Sequence, residues 1–424
     1  MRVVIVCPDY PPRRSGLADH THRLAHSLSR NEIEVIVVTS PPAQGSGPGP
    51  TGDAIRTAEV PGWGIKGARA LLRVIQQQAP DWVIIQYVPH LYGRGGINLV
   101  MPLVWLWQRL RGNRLLLILH ELYLDFPRFR RPTDEGERGA TSSSLSRKAA
   151  GYSHKTPYGG FVGRAMVFLK LLVAALAQRL MLRLSLAASC AVAVSTEAWM
   201  REVGLLLGRR RMPVIHLPSP SAIDRIPVDR QRARTELGFA PEEIVLCFFG
   251  TWHVSKMSSR ILDSLAMLLS EGKSARLLVI GPESEKLLAQ ADERLSSHIL
   301  APGYLDAERV SRALEASDLF VAPFSDGVSA RRTTVMAALA HGLPVVTTEG
   351  RLTDEIFRQS DALRLVPVDD AAAFLAEVRA LAENPSARRA LGERGRLFYE
   401  AHFSWPVITA RLLDLMKAEG PGRK

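Results

Sequence analysis

Apolar residues in this chain fall into short unbroken runs, separated by longer stretches in which they recur at helical spacing. Val3–Cys7 has no polar position, as expected of a strand buried on both faces of a parallel sheet. Pro8–Gly16 is rich in turn formers. Leu17, Thr21, Leu24, Ala25 and Leu28 then recur as one helix face, and Val35–Thr39 is a second buried run. This strand–helix–strand order predicts a parallel α/β sheet. Further strands are predicted at Trp82–Tyr87, Leu115–Leu119 and Cys190–Val194, with helical patterning from about Val162 to Leu186. The pattern then restarts with runs at Ile244–Phe249, Leu277–Ile280, Leu319–Ala322 and Pro344–Thr347. From about Asp370 to Met416 the spacing is helical.

The interruption at Gly208–Pro220, with consecutive arginines and several prolines, reads as a linker. The expected organisation is therefore two Rossmann-like, doubly wound α/β domains. One covers residues 1–207 and is expected on the acceptor side. The other covers 221–400 and is expected to bind the nucleotide. Residues 401–424 should form a helix returning to the first domain. Residues 41–53 read as a loop, and 131–160, rich in charge, Ser and Gly, as a mobile insertion. In open parallel sheets ligands bind at the carboxyl ends of strands. That draws attention to Pro8–Gly16, His120–Glu121, Gly250–Lys256 and Pro323–Thr334, which two facing domains would bring to one cleft.

Composition changes the picture in two places. The net charge of +12 calls for an anionic partner. Between Arg128 and Lys170 nine cationic residues face three acids. No nucleic-acid-binding motif accompanies them, so phosphate and anionic lipid are the expected partners rather than nucleic acid. Cys7, Cys190 and Cys247 are widely spaced within apolar runs and read as buried free thiols of a reducing compartment. With no secretory architecture at the start of the chain, this predicts a cytoplasmic location, with peripheral contact at the inner face of the plasma membrane. Ile97–Trp107 and Ala165–Val194 are the most apolar segments, but each is interrupted short of the ~18 apolar residues of a membrane span. Each fits either a buried helix or a surface dipping into a membrane interface.

The polar residues at the strand ends suggest the chemistry. Ser15 and Gly16 precede a helix, where a glycine permits close backbone approach and the helix start favours an anion; a plain tight turn would use the same residues. His120 could touch a reacting group or a sugar hydroxyl, or be a hydrogen-bonded structural histidine. Lys256 lies near the start of the next helix, suited to a diphosphate or to solvent. In Asp326–Thr334, Gly327 permits a tight backbone path through Val328 and Ser329. Arg331 and Arg332 supply bidentate donors there. Thr333 and Thr334 stand where capping hydroxyls and free N–H groups would meet an anion. Gly250, Thr251, Gly281 and Tyr304, after successive strands, complete the expected donor-binding set. An Asp-x-Asp pair for a divalent ion and a Walker P-loop are absent from the sequence, and no metal or other cofactor is expected.

The segments VVIVCPDYPPRRSGLADHTHRLAHSLS, LILHELY, FFGTWHVSK, ASDLFVAPFSDGVSARRTTVMAALAHGLPVV and HFSW, in this order, resemble the family 4 glycosyltransferases. The resemblance covers nearly the whole chain. It implies the two-domain GT-B fold and transfer from a nucleotide sugar to a glycan or lipid-linked acceptor, with retention and without a metal. By position, Gly16 resembles the loop glycine facing the donor diphosphate, His120 the residue beside the transferred sugar, and Lys256 the cation on the diphosphate. The family's arginine five residues before that lysine is Thr251 here. Its two glutamates, eight residues apart, align with Ser329 and Ala337. The resemblance therefore implies a divergent site rebuilt from Ser329, Arg331, Arg332 and Thr333, with His120, Lys256 and Arg332 as its catalytic groups, or else a catalytically silent nucleotide-sugar-binding or membrane-surface protein on the same fold.

Overall fold

The computed structural model describes residues 1–13, 15–42, 55–126, 161–251 and 255–419. The expected insertion at 131–160 and most of the basic stretch lie outside the described residues. The chain divides into two compact units. One is Met1–Leu217 with Thr409–Lys424, and the other is Pro218–Ile408.

The first unit is built on a seven-stranded sheet of β1 (Arg2–Val6), β2 (Glu34–Thr39), β3 (Arg56–Glu59), β4 (Trp82–Tyr87), β5 (Leu115–Leu119), β6 (Ala191–Val194) and β7 (Val214–His216), in the order β3-β2-β1-β4-β5-β6-β7. Every pairing is parallel. The order reverses between β1 and β4, as in a doubly wound sheet. β1, β4 and β5 are buried along almost their whole length, which is why their sequences carry unbroken apolar runs. Helix Gly16–Ser29 starts where predicted. Ser15 caps it, its Oγ accepting from Ala18 N at 3.1 Å. The stretch 208–220, expected as a linker, contains β7, which joins the sheet edge beside β6. Its prolines and arginines flank a strand of only three residues, too short to announce itself.

The second unit carries a six-stranded parallel sheet: β8 (Ile244–Phe249), β9 (Ala275–Ile280), β10 (Ile299–Gly303), β11 (Leu319–Ala322), β12 (Val345–Glu349) and β13 (Arg364–Pro367), in the order β10-β9-β8-β11-β12-β13. Side chains of β8 alternate between two cores. Val245 and Cys247 pack with the helix Thr333–Ala340, and Leu246 and Phe248 with the helix Ser258–Ser270. The reversal of strand order falls between β8 and β11. The tail is helical at Ala371–Glu383, Pro385–His402 and Trp405–Ala418. Within the last helix the chain returns to the first unit, where Thr409 Oγ1 donates to Ser27 Oγ at 2.7 Å.

All three cysteines are free; Cys7 and Cys247 are buried, whereas Cys190 is half-buried just before β6 rather than within it. Burial pushes the Cys7 and Cys247 thiols up to about 12, so both stay neutral.

Candidate functional site

In the second unit three adjacent strands end on glycines with positive φ: Gly250 (124°) after β8, Gly281 (135°) after β9 and Gly303 (77°) closing β10. Gly250 N donates to Ile280 O at 2.9 Å and Gly281 N to Gly303 O at 2.8 Å, so the strand ends continue as a layered floor. A Cβ on Gly281 would stand 2.5 Å from Gly250 O. One on Gly250 would stand 2.7 Å from Lys256 Nζ and 2.8 Å from the Thr334 methyl. Glycine is required at both positions, and its small size lets Lys256 and Thr334 close over the end of β8.

The loops after β8 and β11 flank the point where strand order reverses, and they are joined by backbone bonds. Lys256 pairs with Phe324 in an isolated antiparallel bridge. Met257 N donates to Pro323 O at 3.0 Å and Ser325 N to Ser255 O at 2.8 Å. The β11 loop is held in turn from below. Phe324 N donates to Thr348 Oγ1 at 2.7 Å, and Ala330 N to the buried Asp354 Oδ2 at 2.6 Å. Gly327 (φ 84°) has no room for a side chain: a Cβ would lie 2.3 Å from Thr353 Oγ1 and 2.4 Å from Gly350 N.

This scaffold confines two cations. Lys256 Nζ lies 4.5 Å from the centre of the Phe248 ring and donates to Phe249 O at 3.4 Å. Burial and the neighbouring Arg332 charge lower its pKa to about 7. The Arg332 guanidinium lies 4.2 Å over the Phe324 ring and donates to Asp326 Oδ1 at 2.5 Å. Burial lowers its pKa to about 10 against the pull of Asp326, and Arg331 adds repulsion. Arg332 Nε is buried without a hydrogen-bond partner. Asp326 is committed to Arg332, and among the described residues no carboxylate pairs with Lys256. Asp326 thus balances Arg332, and a bound diphosphate would supply the counter-charge that Lys256 lacks.

Other predicted positions fall differently. Arg332, not a threonine, is the N-cap residue of the helix Thr333–Ala340, and no side chain makes a capping bond there. Thr333 and Thr334 are its first two residues and half-buried, with the Thr334 methyl against Gly250. The capping role expected of the threonines is thus corrected: the backbone turns into the helix one residue early, as Met336 N reaches Arg332 O. Val328, Ser329 and Ala337 have no exposed surface, and Ser329 Oγ is buried without a partner. The positions aligned with the family's two glutamates therefore both lie inside the unit. Arg331 is half-buried, Tyr304 is exposed, and Thr251 is exposed at the edge of the described residues.

In the first unit, helix Gly16–Ser29 and the end of β5 meet through two histidines. The His20 and His120 rings are 4.8 Å apart, edge to face. His20 is buried, and burial lowers its pKa to about 4. Burial, and the proximity of His20, hold His120 well below the usual imidazole range, so it is neutral near pH 7. His120 Nε2 is 2.5 Å from Gln86 Oε1. With the carbonyl oxygen so placed, Nε2–H donates and Nδ1 is left as the acceptor. Gln86 escaped the sequence reading. Its signal was a single amide inside the apolar strand WVIIQY, where it is fully buried. Nothing stands within 4 Å of where a Gly16 Cβ would be, so packing does not require glycine there. Glu121 Oε2 lies 3.7 Å from His90 Nε2, away from the His20–His120 pair.

Solved structures share this architecture from end to end. Sucrose-phosphate synthase from Thermosynechococcus elongatus superposes with a TM-score of 0.69 over 98% of both chains, at 15% identity. The fold is GT-B. Residues 243–384, which hold the Lys256–Arg332 pocket, match the family model described as glycosyl transferases group 1. Among curated relatives, a D-inositol 3-phosphate glycosyltransferase of Mycobacterium marinum is 31% identical over 228 residues, 47% of this chain and 46% of the relative. A GDP-mannose-dependent monoacylated alpha-(1-6)-phosphatidylinositol monomannoside mannosyltransferase of Corynebacterium glutamicum is 26% identical over 219 residues, 48% of this chain and 56% of the relative. The chain spans about half the length of the curated relatives it matches.

Proposed function

We propose that this chain is a glycosyltransferase that moves a sugar, with retention and without a metal, from a nucleotide-diphosphate sugar to a glycan or lipid-linked acceptor. The observation that carries the reading is the Lys256–Arg332 pair, two confined cations of which only Arg332 has a carboxylate partner, at the strand-order reversal of the second unit. The family match over the same residues and the nucleotide-sugar and lipid names of the relatives support it.

In this mechanism the donor diphosphate lies against Gly250, Lys256, Arg332 and the first turn of helix Thr333–Ala340. The bond between the anomeric carbon and the diphosphate oxygen breaks, and the electron pair leaves with the diphosphate. Lys256 and Arg332 stabilise the charge as it develops, which accelerates the step because the interaction is stronger in the transition state than in the ground state. The acceptor hydroxyl attacks from the face the leaving group vacates, and its proton passes to a leaving phosphate oxygen. Neutral His120, in the first unit, offers Nδ1 to a sugar hydroxyl. A cytoplasmic location and peripheral contact with an anionic membrane accompany this reading but do not carry it.

A panel of UDP-, GDP- and ADP-sugars, scored first by thermal shift and then by nucleotide release, tests it. Lys256→Ala with Arg332→Ala should abolish release, and a wild-type rate in that double variant would refute the assignment. Burial of Ser329 and Ala337 at the glutamate positions favours one competing reading, a nucleotide-sugar-binding protein without turnover. That reading predicts thermal shifts with no release.

A further inference from the structure

Helix Phe161–Ala188 has two faces of opposite fate. Its inner face carries Ala174, Ala175, Gln178, Met181, Leu182 and Leu186 into the first unit. Gln178 Oε1 accepts from Leu124 N at 2.8 Å, and Arg179 Nη1 donates to Leu124 O at 2.7 Å. On the outer face Met166, Leu169, Val173, Leu176 and Leu180 follow one another at intervals of three and four residues, each between 47% and 59% exposed. A stripe of this length on a monomer's surface marks a place of contact.

Contrary to the expectation from its interrupting charges, the stretch Ala165–Ala188 is by length and mean hydropathy long and apolar enough to cross a bilayer. It is also a structural wall of the unit: crossing would strip Leu124 of both bonds and empty the core position of Leu182. The helix can meet lipid only lengthwise. Its outer face also exposes Lys170 and Arg183. The helix Val100–Leu110 packs directly against it. That second helix exposes Leu103, Trp107 and Leu110, with Arg109 and Arg111 beside them and the Arg111 guanidinium 5.1 Å over the Trp107 ring. Neither helix contains an acidic residue.

We propose that these outer faces form a docking surface for an anionic phospholipid bilayer, with helix Phe161–Ala188 lying in the plane of the headgroups. The apolar stripe enters the acyl boundary, Trp107 sits at headgroup level, and Lys170, Arg183, Arg109 and Arg111 meet lipid phosphates. A second copy of the chain is the less complementary occupant. Isologous pairing would bring cationic faces together with no carboxylate on either helix to offset them. The surface contains none of the residues assigned to sugar transfer, so it stands or falls separately from that reading.

The test is sedimentation of the full chain with phosphatidylcholine vesicles, with and without phosphatidylglycerol, at low and high salt. The protein should sediment with the phosphatidylglycerol vesicles and be released several-fold by salt. Leu169→Glu with Leu176→Glu, both at exposed positions, should lower vesicle binding at least about tenfold while leaving the melting temperature and nucleotide-sugar thermal shift unchanged. Lys170→Gln with Arg183→Gln should reduce the preference for phosphatidylglycerol. Vesicles should shift Trp emission to the blue in the wild type but not in Trp107→Phe. Three outcomes overturn the proposal: no vesicle binding, equal binding of the Leu169/Leu176 variant, or a wild-type dimer that this variant splits into monomers. Vesicle binding without nucleotide release would refute the transfer reading alone.

Discussion

Lys256 makes the proposed donor site pH-dependent in a direction that can be worked out. In the free protein its pKa is lowered to about 7 from an ordinary 10.5, first by burial and then by Arg332. A bound diphosphate would hold the ammonium charged. The diphosphate of a nucleotide sugar, esterified at both ends, does not titrate in this range, so the proton taken up on binding comes to Lys256. At pH 8 roughly nine-tenths of the free protein has Lys256 neutral, and binding should take up about 0.9 proton. Affinity should be nearly flat below pH 6.5. Above about pH 7.5 it should fall roughly tenfold per pH unit, or about 1.4 kcal/mol each, until the bound-state pKa is reached. Calorimetry at pH 8 in two buffers of different ionisation enthalpy measures the uptake directly. Linkage to folding has the matching sign. The unfolded chain binds the proton up to about pH 10.5 and the folded one only to about 7. The free protein therefore gains stability from this group as pH rises through that window, and Lys256→Met should flatten the gain. An uptake near zero at pH 8, or the same uptake in Lys256→Met, would refute the reasoning.

Three further outcomes follow from the geometry. Gly16→Ala meets no atom within 4 Å, so its melting temperature should match wild type; if Gly16 faces the donor, nucleotide release should still fall at least about tenfold, because a side chain blocks close backbone approach. Gln86→Leu removes the hydrogen bond that orients His120 and, with it, the unpaired buried Gln86 Nε2. Stability should stay within about 1 kcal/mol, kcat should fall about five- to tenfold at unchanged donor affinity, and the ring nitrogen shifts of His120 should show mixed tautomers. Asp354→Ala orphans the Ala330 N–H under the arginine loop and should cost about 1–3 kcal/mol by denaturant unfolding, with weaker nucleotide-sugar binding.

The strands legible in the sequence are the interior ones, β1, β2, β4, β5, β6, β8, β9, β11 and β12, because a central parallel strand is buried on both faces and must be apolar throughout. The strands that went unread, β3 (RTAE), β7 (VIH), β10 (ILAPG) and β13 (RLVP), are the four sheet edges. An edge position needs only backbone pairing on one side, so it tolerates polar residues and leaves no period to detect.

The site divides along a similar line. Residue types after each strand, and hence the placing of Gly250, Lys256 and Arg332 at strand ends, could be read along the chain, since the doubly wound topology sends those loops to one edge of the sheet. That the loop bearing Lys256 is bridged to Phe324 and Ser325 follows from packing between segments some seventy residues apart, and that Asp326 is spent on Arg332 and Ser329 faces inward follows from the path this packing imposes on the β11 loop. Gln86 and Asp354 became visible for the same reason. A buried amide or carboxylate has no local pattern, and its role is set by the partner that folding brings to it.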